Sequence, residues 1–306
     1  MASLTKALVT APLILKEFGQ LSSDAISVQN FIESQVRNKE LSWCKDVLVK
    51  DLLFHRSGLR PWQNFWVDCF SCERTTWILN DCDKKARVQR MSKLLHSKKK
   101  YQYSDLGYIL LGQLLEQKYS RKLDKIYEDY INKDLNIENL EDFGFLLPQD
   151  KRALCAPCGY CKLRNKEIRG EVHDENSSAF GGVSGHAGLF ASGSSLVVFL
   201  KAFLRSQEAK TLVSYFNKFK TSSLDNSSCG WMYYDKKSHY SFCNRPTIGH
   251  LGFTGTGLWL CPKTKQYIIL LTNRVAFKRQ SPWIHSFRNM VVKECAILMS
   301  RHERFL

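Results

Sequence analysis

Ser3 and Lys6 stand three residues apart at the head of an apolar run, residues 7–18. On a helix, positions i and i+3 share a face, so this hydroxyl and this amine would meet. An unassisted serine is too weakly acidic to attack a carbonyl, and a neighbouring amine is the smallest arrangement that activates it. Ser-x-x-Lys alone says little, because the same pair serves equally well as a helix cap and a solvated lysine. Two later elements strengthen the reading. Tyr103-Ser104-Asp105 precedes the apolar run 106–115, and His250-Leu251-Gly252 opens a Gly-rich stretch, 252–257, ahead of a strand-like segment.

That order, Ser-x-x-Lys, then a Tyr-x-Asn-like element, then a Lys-Thr-Gly-like element, resembles the motif set of β-lactamases and penicillin-binding proteins. Further blocks resemble the class C β-lactamase-related serine hydrolases: Ala2-Ser3-Leu4-Thr5-Lys6 and Gly19-Gln20-Leu21-Ser22 around the nucleophile, and Leu52-Leu53-Phe54-His55-Arg56-Ser57-Gly58-Leu59 after it. Gly181-Gly182-Val183-Ser184-Gly185-His186-Ala187-Gly188 and His250-Leu251-Gly252-Phe253-Thr254-Gly255-Thr256 resemble a subgroup with D-alanyl-D-alanine carboxypeptidases and esterases. The likeness spans nearly the whole chain.

The resemblance implies an α+β, β-lactamase/transpeptidase-like fold: an antiparallel sheet flanked by helices, plus a helical lobe. It implies one domain over 1–306, with the lobe and loops in roughly 20–205 and the sheet and last helix in roughly 225–306. Relatives normally place a helix and two strands before the nucleophile, so the expectation is a fragment or a misassigned start, with a bare sheet edge. It also implies the site. Ser3 would be acylated, Lys6 would be base or proton relay, and Tyr103 would carry the proton to the leaving group. The amides of Ser3 and Phe253 would form the oxyanion hole. Gly252 would admit the substrate, and Gly181 and Gly182 would line the cleft.

Three departures qualify this picture. Asp105 stands where Asn is usual, and an ionised carboxylate would hold Lys6 charged. His250 replaces the Lys of the third motif, where it would position Tyr103. Leu251 replaces a hydroxyl residue that binds a substrate carboxylate. The expected activity is therefore acyl-enzyme hydrolysis of an ester or small amide. A D-alanyl-D-alanine carboxypeptidase-like protein and a catalytically inactive binding or scaffold module of the same fold remain as alternatives.

Composition sets the outer limits. With 306 residues, 44% hydrophobic and 12% aromatic, the chain can bury a core and is neither disordered nor fibrous. A formal charge of +16 would attract anions, yet no zinc finger, RNA-binding aromatic motif or helix-turn-helix pattern is present, so no nucleic-acid partner is expected. No apolar run reaches the roughly 20 residues of a membrane span. Cys155-x-x-Cys158-x-x-Cys161 and Cys69-x-x-Cys72 have metal-like spacing without a regular partner pair, and His173-Asp174-Glu175 has only the look of a ligand set; neither metal nor cofactor is expected. Eleven cysteines suit reduced thiols in a cytoplasm-like compartment, and the expected location is cytoplasmic, with a periplasmic or envelope-associated one left open should an upstream signal be missing. The expected partner is a small-molecule ester or peptide-like substrate.

Periodicity predicts helices over 2–18 (loosened at Pro12), 23–36, 49–55, 84–96, 105–117, 123–130, 195–204, 210–218 and 283–301. It predicts strands over 231–234, 257–261 and 267–272, and loops from 144 to 193.

Overall fold

A computed structural model describes residues 1–19, 47–64, 101–219, 227–243, 245–276 and 281–302. The expected helices 23–36 and 84–96, the turn at residues 20–22, the Cys69/Cys72 pair and the basic run 98–100 lie outside the described residues.

The opening segment is helical, but in two grades. Its first turn is closed by three short bonds: Leu4 N–H to Met1 O, Thr5 N–H to Ala2 O and Lys6 N–H to Ser3 O. Bonds of this i→i+3 kind eclipse residues three apart, which stacks Lys6 over Ser3. A π-helical turn, Lys6–Thr10, follows, and α1 (Ala11–Phe18) completes the element. The loosening falls just before Pro12, which has no N–H for the Leu8 carbonyl. That carbonyl is satisfied from elsewhere, by the Tyr127 hydroxyl at 2.7 Å.

Helix α3 (Asp105–Tyr119) packs against this segment, and α2 (Val49–Leu53) packs in turn against α3. The start of α3 is fixed by its flanks. Ser104 caps it by accepting the Gly107 N–H, donates its own hydroxyl to Arg60 O at 2.6 Å, and gives its amide to His55 Nδ1 at 3.1 Å. The Tyr108 hydroxyl ties α3 back to Leu53 O at 2.9 Å. After α4 (Leu123–Asp129) and a second π-helical turn, Tyr130–Asp134, the chain enters the expected loop region. That region holds more order than predicted: α5 (Gln149–Arg152), α6 (Glu175–Ala179) and two paired ladders, β1 (Phe143–Gly144) with β4 (Phe190–Ala191) and β2 (Tyr160–Cys161) with β3 (Lys166–Glu167). Runs of two to five residues carry no periodicity that a sequence reading can detect.

Helices α7 (Gly193–Phe203) and α8 (Gln207–Phe219) lead to an antiparallel five-stranded sheet in the order β5 (Ser227–Ser228), β6 (Trp231–Tyr234), β7 (Thr247–Leu251), β8 (Gly257–Leu260), β9 (Tyr267–Leu270). Strand β7 was not among the predicted strands, because Gly249 and His250 interrupt its apolar pattern. The long helix α9 (Ile284–His302) ends the described chain. The pleat sorts side chains to two faces. Ile248, Leu258 and Leu260 join the main core with the helices, while Trp259, Cys261 and Ile268 join a second cluster with Val292 of α9.

Glycines let the segment 184–186 lie directly against α3. A Cβ on Gly185 would sit 2.1 Å from Tyr108 O, and one on Gly112 only 2.9 Å from Gly185 N. Gly185→Ala is therefore expected to lower stability by about 1–3 kcal/mol through overpacking. Gly193→Ala, whose added Cβ meets nothing closer than 3.8 Å, serves as the neutral control. Urea unfolding checks this, and coincident midpoints for Gly185→Ala and wild type would refute the close-approach argument.

Candidate active site

The stacked first turn delivers what the Ser-x-x-Lys spacing promised: Lys6 Nζ donates to Ser3 Oγ at 3.0 Å. The ammonium is completely buried and also faces Asp105 Oδ1 at 2.6 Å and His186 O at 3.4 Å. The ammonium also stands 4.9 Å from the centre of the Tyr103 ring. Ser3 on the same turn, the 103–105 segment and the His186 carbonyl thus converge on one amine.

Burial by itself would lower the Lys6 pKa, but the charge of Asp105, and after it Tyr103, outweigh burial and raise it above the usual lysine value. Tyr103 is also raised, by burial first and by Asp105, with Lys6 pulling the other way. The resting cluster therefore holds its protons, and a neutral Lys6 base is not the resting state.

His250 projects from β7 on the helix-facing side, its ring 6.0 Å from that of Tyr103. Its Nδ1 lies 2.9 Å from Leu251 O, so Nδ1 bears the proton and Nε2 is the free lone pair. Burial, then the Lys6 charge, push its pKa down to about 3, which leaves it neutral near pH 7. His55, behind Tyr103 with ring centroids 4.5 Å apart, is likewise held well below the usual histidine value by burial and by Lys6.

A cavity of about 720 Å³ opens over Ser3 and Tyr103, with Asp105, His186, Phe253 and Trp62 also in its wall. Lys6 and His250 stand behind that wall. Gly252 is where close approach matters: a Cβ there would lie 2.0 Å from Thr256 Oγ1 and 2.7 Å from Met1 O, so only glycine lets this loop abut the stretch bearing Ser3. Phe253 follows at the rim, its ring 5.9 Å from that of His173 and 4.4 Å from the Arg274 guanidinium.

Three expected contacts are not where the sequence placed them. Leu251 alternates to the opposite face of β7 and packs with the α9-side cluster, because neighbouring residues of a strand cannot share a face. Gly181 and Gly182 do not line the cavity; they turn the chain after α6 with φ of 80° and 88°, and a Cβ on Gly182 would meet Leu146. Asp174, weighed only as a metal look-alike, caps α6 through Ser177 N–H and binds His186 Nε2 at 2.9 Å, while His186 Nδ1 lies 2.8 Å from Ser184 Oγ. Burial would raise the Asp174 pKa; the His186 ring and the Ser177 amide overcome that and hold it well below the usual carboxylate value. With both ring nitrogens engaged, His186 is locked and its carbonyl stays aimed at Lys6. The segment 181–188 had signalled a family likeness, but no residue type in it announced this role. Among the described residues, no group of three or more His, Cys, Asp or Glu side chains could share a metal ion.

The architecture has many counterparts. A class C beta-lactamase from Rhodobacter sphaeroides superposes with a TM-score of 0.65 at 16% identity, covering 97% of this chain and 85% of that one. An octameric penicillin-binding protein homologue from Pyrococcus abyssi gives 0.63 at 19% identity, over 98% and 65%. In sequence, an N-acetylmuramyl-L-alanine amidase of Bacillus subtilis (strain 168) is 31% identical over 274 residues, 81% of this chain and 60% of the relative. A putative D-alanyl-D-alanine carboxypeptidase of Escherichia coli (strain K12) is 29% identical over 198 residues, 57% of this chain and 45% of the relative. The chain thus spans 45–60% of the length of these two curated relatives. The beta-lactamase family model matches residues 1–285, covering the Ser3–Lys6 turn, the Tyr103–Asp105 segment and the β7–β8 strands alike, and the chain belongs to the beta-lactamase family.

Proposed function

We propose that the protein is a serine hydrolase that acylates Ser3 and releases the acyl group to water, acting on an ester or a small amide. The observation that carries the reading is the Ser3 Oγ–Lys6 Nζ hydrogen bond of 3.0 Å at the floor of a cavity, with Tyr103 beside the ammonium in the same cavity wall. An amide substrate is supported by relatives named as an amidase and as carboxypeptidases, and an ester by the structural likeness to EstCE1, a hydrolase with promiscuous acyltransferase activity.

The chemistry follows from the charges. The cluster of Lys6, Tyr103 and Asp105 sheds one proton to become active, and the Tyr103–Lys6 pair then takes the Ser3 proton as Oγ bonds to the substrate carbonyl carbon. The tetrahedral oxyanion rests against the Ser3 and Phe253 amides. Collapse breaks the bond to the leaving group, which takes the proton back through Tyr103. Water repeats the sequence on the acyl-enzyme, and Ser3 leaves with the proton.

Against a β-lactam or any substrate held by its carboxylate stands the third motif. His250 is buried and neutral where a lysine ammonium would attract an anion, and the Leu251 side chain lies on the far face of the strand. A neutral acyl substrate fits this site better. A D-alanyl-D-alanine carboxypeptidase activity would need its carboxylate anchor from other residues.

Wild-type protein is expected to hydrolyse p-nitrophenyl esters and to be labelled at Ser3 by a fluorophosphonate. Ser3→Ala should lose labelling and at least about 10³-fold in kcat/KM. Equal ester turnover by the two proteins would defeat the assignment and favour a non-catalytic binding module. Asp105 gives a second, sharper handle. Its charge raises both Lys6 and Tyr103, so Asp105→Asn lowers both and makes the proton easier to lose. The alkaline rise of kcat/KM should move to lower pH by about one unit or more. A pH–rate profile that stays in place, or moves upward, would rule out this proton inventory.

A further inference from the structure

Arg288, on α9, is only 3% exposed, yet no carboxylate among the described residues pairs with it. Its Nη2 instead donates to two backbone carbonyls, Gly252 O at 2.7 Å and Thr256 O at 2.8 Å, and its Nε has no hydrogen-bond partner among the described residues. Burying a guanidinium without a counter-ion costs several kcal/mol, and two charge-assisted bonds to carbonyls offset only part of that. A group kept at such cost invites the question of what it holds.

It holds the neck of the loop between β7 and β8. Gly252 N–H bonds Thr256 O at 2.8 Å, so Nη2 bridges the two carbonyls at the points where the loop leaves and rejoins the sheet. A second arginine grips the next peptide: Arg274 Nε donates to Phe253 O, and its backbone N–H to Thr254 O at 2.8 Å. The peptide that matters is the one joining Gly252 to Phe253. Every peptide here is trans, so the carbonyl and N–H of one unit point in opposite directions. With Gly252 O drawn back toward α9, the Phe253 N–H of the same unit is turned away from α9, and Phe253 itself belongs to the cavity wall. Gly252 has no side chain to resist rotation of this unit, so its orientation depends on the two donors to its oxygen, the Gly255 N–H at 3.1 Å across the turn and the shorter bond from Arg288 Nη2 at 2.7 Å. A cation on the oxygen also polarises the unit and makes the opposite N–H a better donor.

We infer that Arg288 is a positioning residue for the oxyanion hole, fixing the Gly252–Phe253 peptide so that the Phe253 amide faces the acyl oxygen on Ser3. The inference rests on the serine-hydrolase reading above. Neither arm of the clamp touches substrate; the effect runs entirely through one peptide plane.

The test compares wild type, Arg288→Met and Arg288→Lys in p-nitrophenyl ester turnover, fluorophosphonate labelling of Ser3 and thermal unfolding. Arg288→Met, in the fraction that melts cooperatively above the assay temperature, should lose roughly 10- to 100-fold in kcat, somewhat less than losing an oxyanion donor outright. Its KM should change less than about threefold, since ground-state binding does not use the oxyanion hole. Arg288→Lys, which keeps the cation but reaches fewer acceptors, should recover part of the loss, and methylguanidinium should rescue Arg288→Ala. A kcat for folded Arg288→Met within about twofold of wild type, or a loss that falls equally on KM and is not recovered by Arg288→Lys, would overturn the inference while wild-type labelling leaves the hydrolase reading intact. A folded wild type that neither labels nor turns over ester would refute the hydrolase reading and this inference with it.

Discussion

The site is organised by one buried ammonium. Lys6 has no contact with solvent, and an isolated cation in that position would be ruinous to stability, so the fold has to supply acceptors from several directions. It does so from three stretches: Asp105 at the head of α3, the His186 carbonyl in a loop locked by Asp174, and Ser3 on the same helical turn. Each acceptor needs a fixed backbone. Hence the unusual density of local bonds nearby: Ser104 capping α3 and held by His55 and Arg60, Gly185 pressed on Tyr108, and the Thr10 hydroxyl on Gly185 O at 2.6 Å. The helical packing and the chemistry are one problem, that of solvating Lys6 with protein.

The opposite wall is built by a different device. In the proposed reading that wall supplies no reactive side chain, only the direction of a backbone dipole in the loop that Gly252 and Gly255 let turn tightly. Arg274, four residues past β9, and Arg288 of α9 hold that loop by its carbonyls. The reacting groups can thus meet a stiff surface on one side and a proton-rich cluster on the other. The five-stranded sheet serves mainly to keep these two structures in register.

How much of this the sequence disclosed follows from the range of each interaction. Helices α1 and α8 were readable because their apolar residues repeat with the helical period, and α3 because its apolar run, 106–115, is too long for a strand. The convergence of Ser3, Lys6, Tyr103, Asp105 and His250 was readable only through the order of motifs, which stand about a hundred and about a hundred and fifty residues apart. The roles of Arg288, His186 and Asp174 were not readable, since each acts through tertiary contacts to backbone or ring nitrogen that leave no spacing rule behind. Leu251 shows the opposite failure. The motif suggested a ligand-facing position, but pleat geometry gives adjacent residues opposite faces, so the packing against α9 decides what stands there.

Asp105 exposes a tension within the site itself. As a carboxylate at 2.6 Å it is the strongest partner Lys6 has, and removing it would leave a buried charge inadequately matched. The same proximity raises Lys6 and Tyr103 and so withholds the base that acylation requires. An asparagine would still offer a carbonyl oxygen to the ammonium, with less stabilisation and a more mobile proton. Stability and reactivity are therefore set in opposition by one side-chain oxygen. A site built this way favours substrates with good leaving groups, because they need the least help from the base, and this is a physical reason to place esters ahead of amides for this chain.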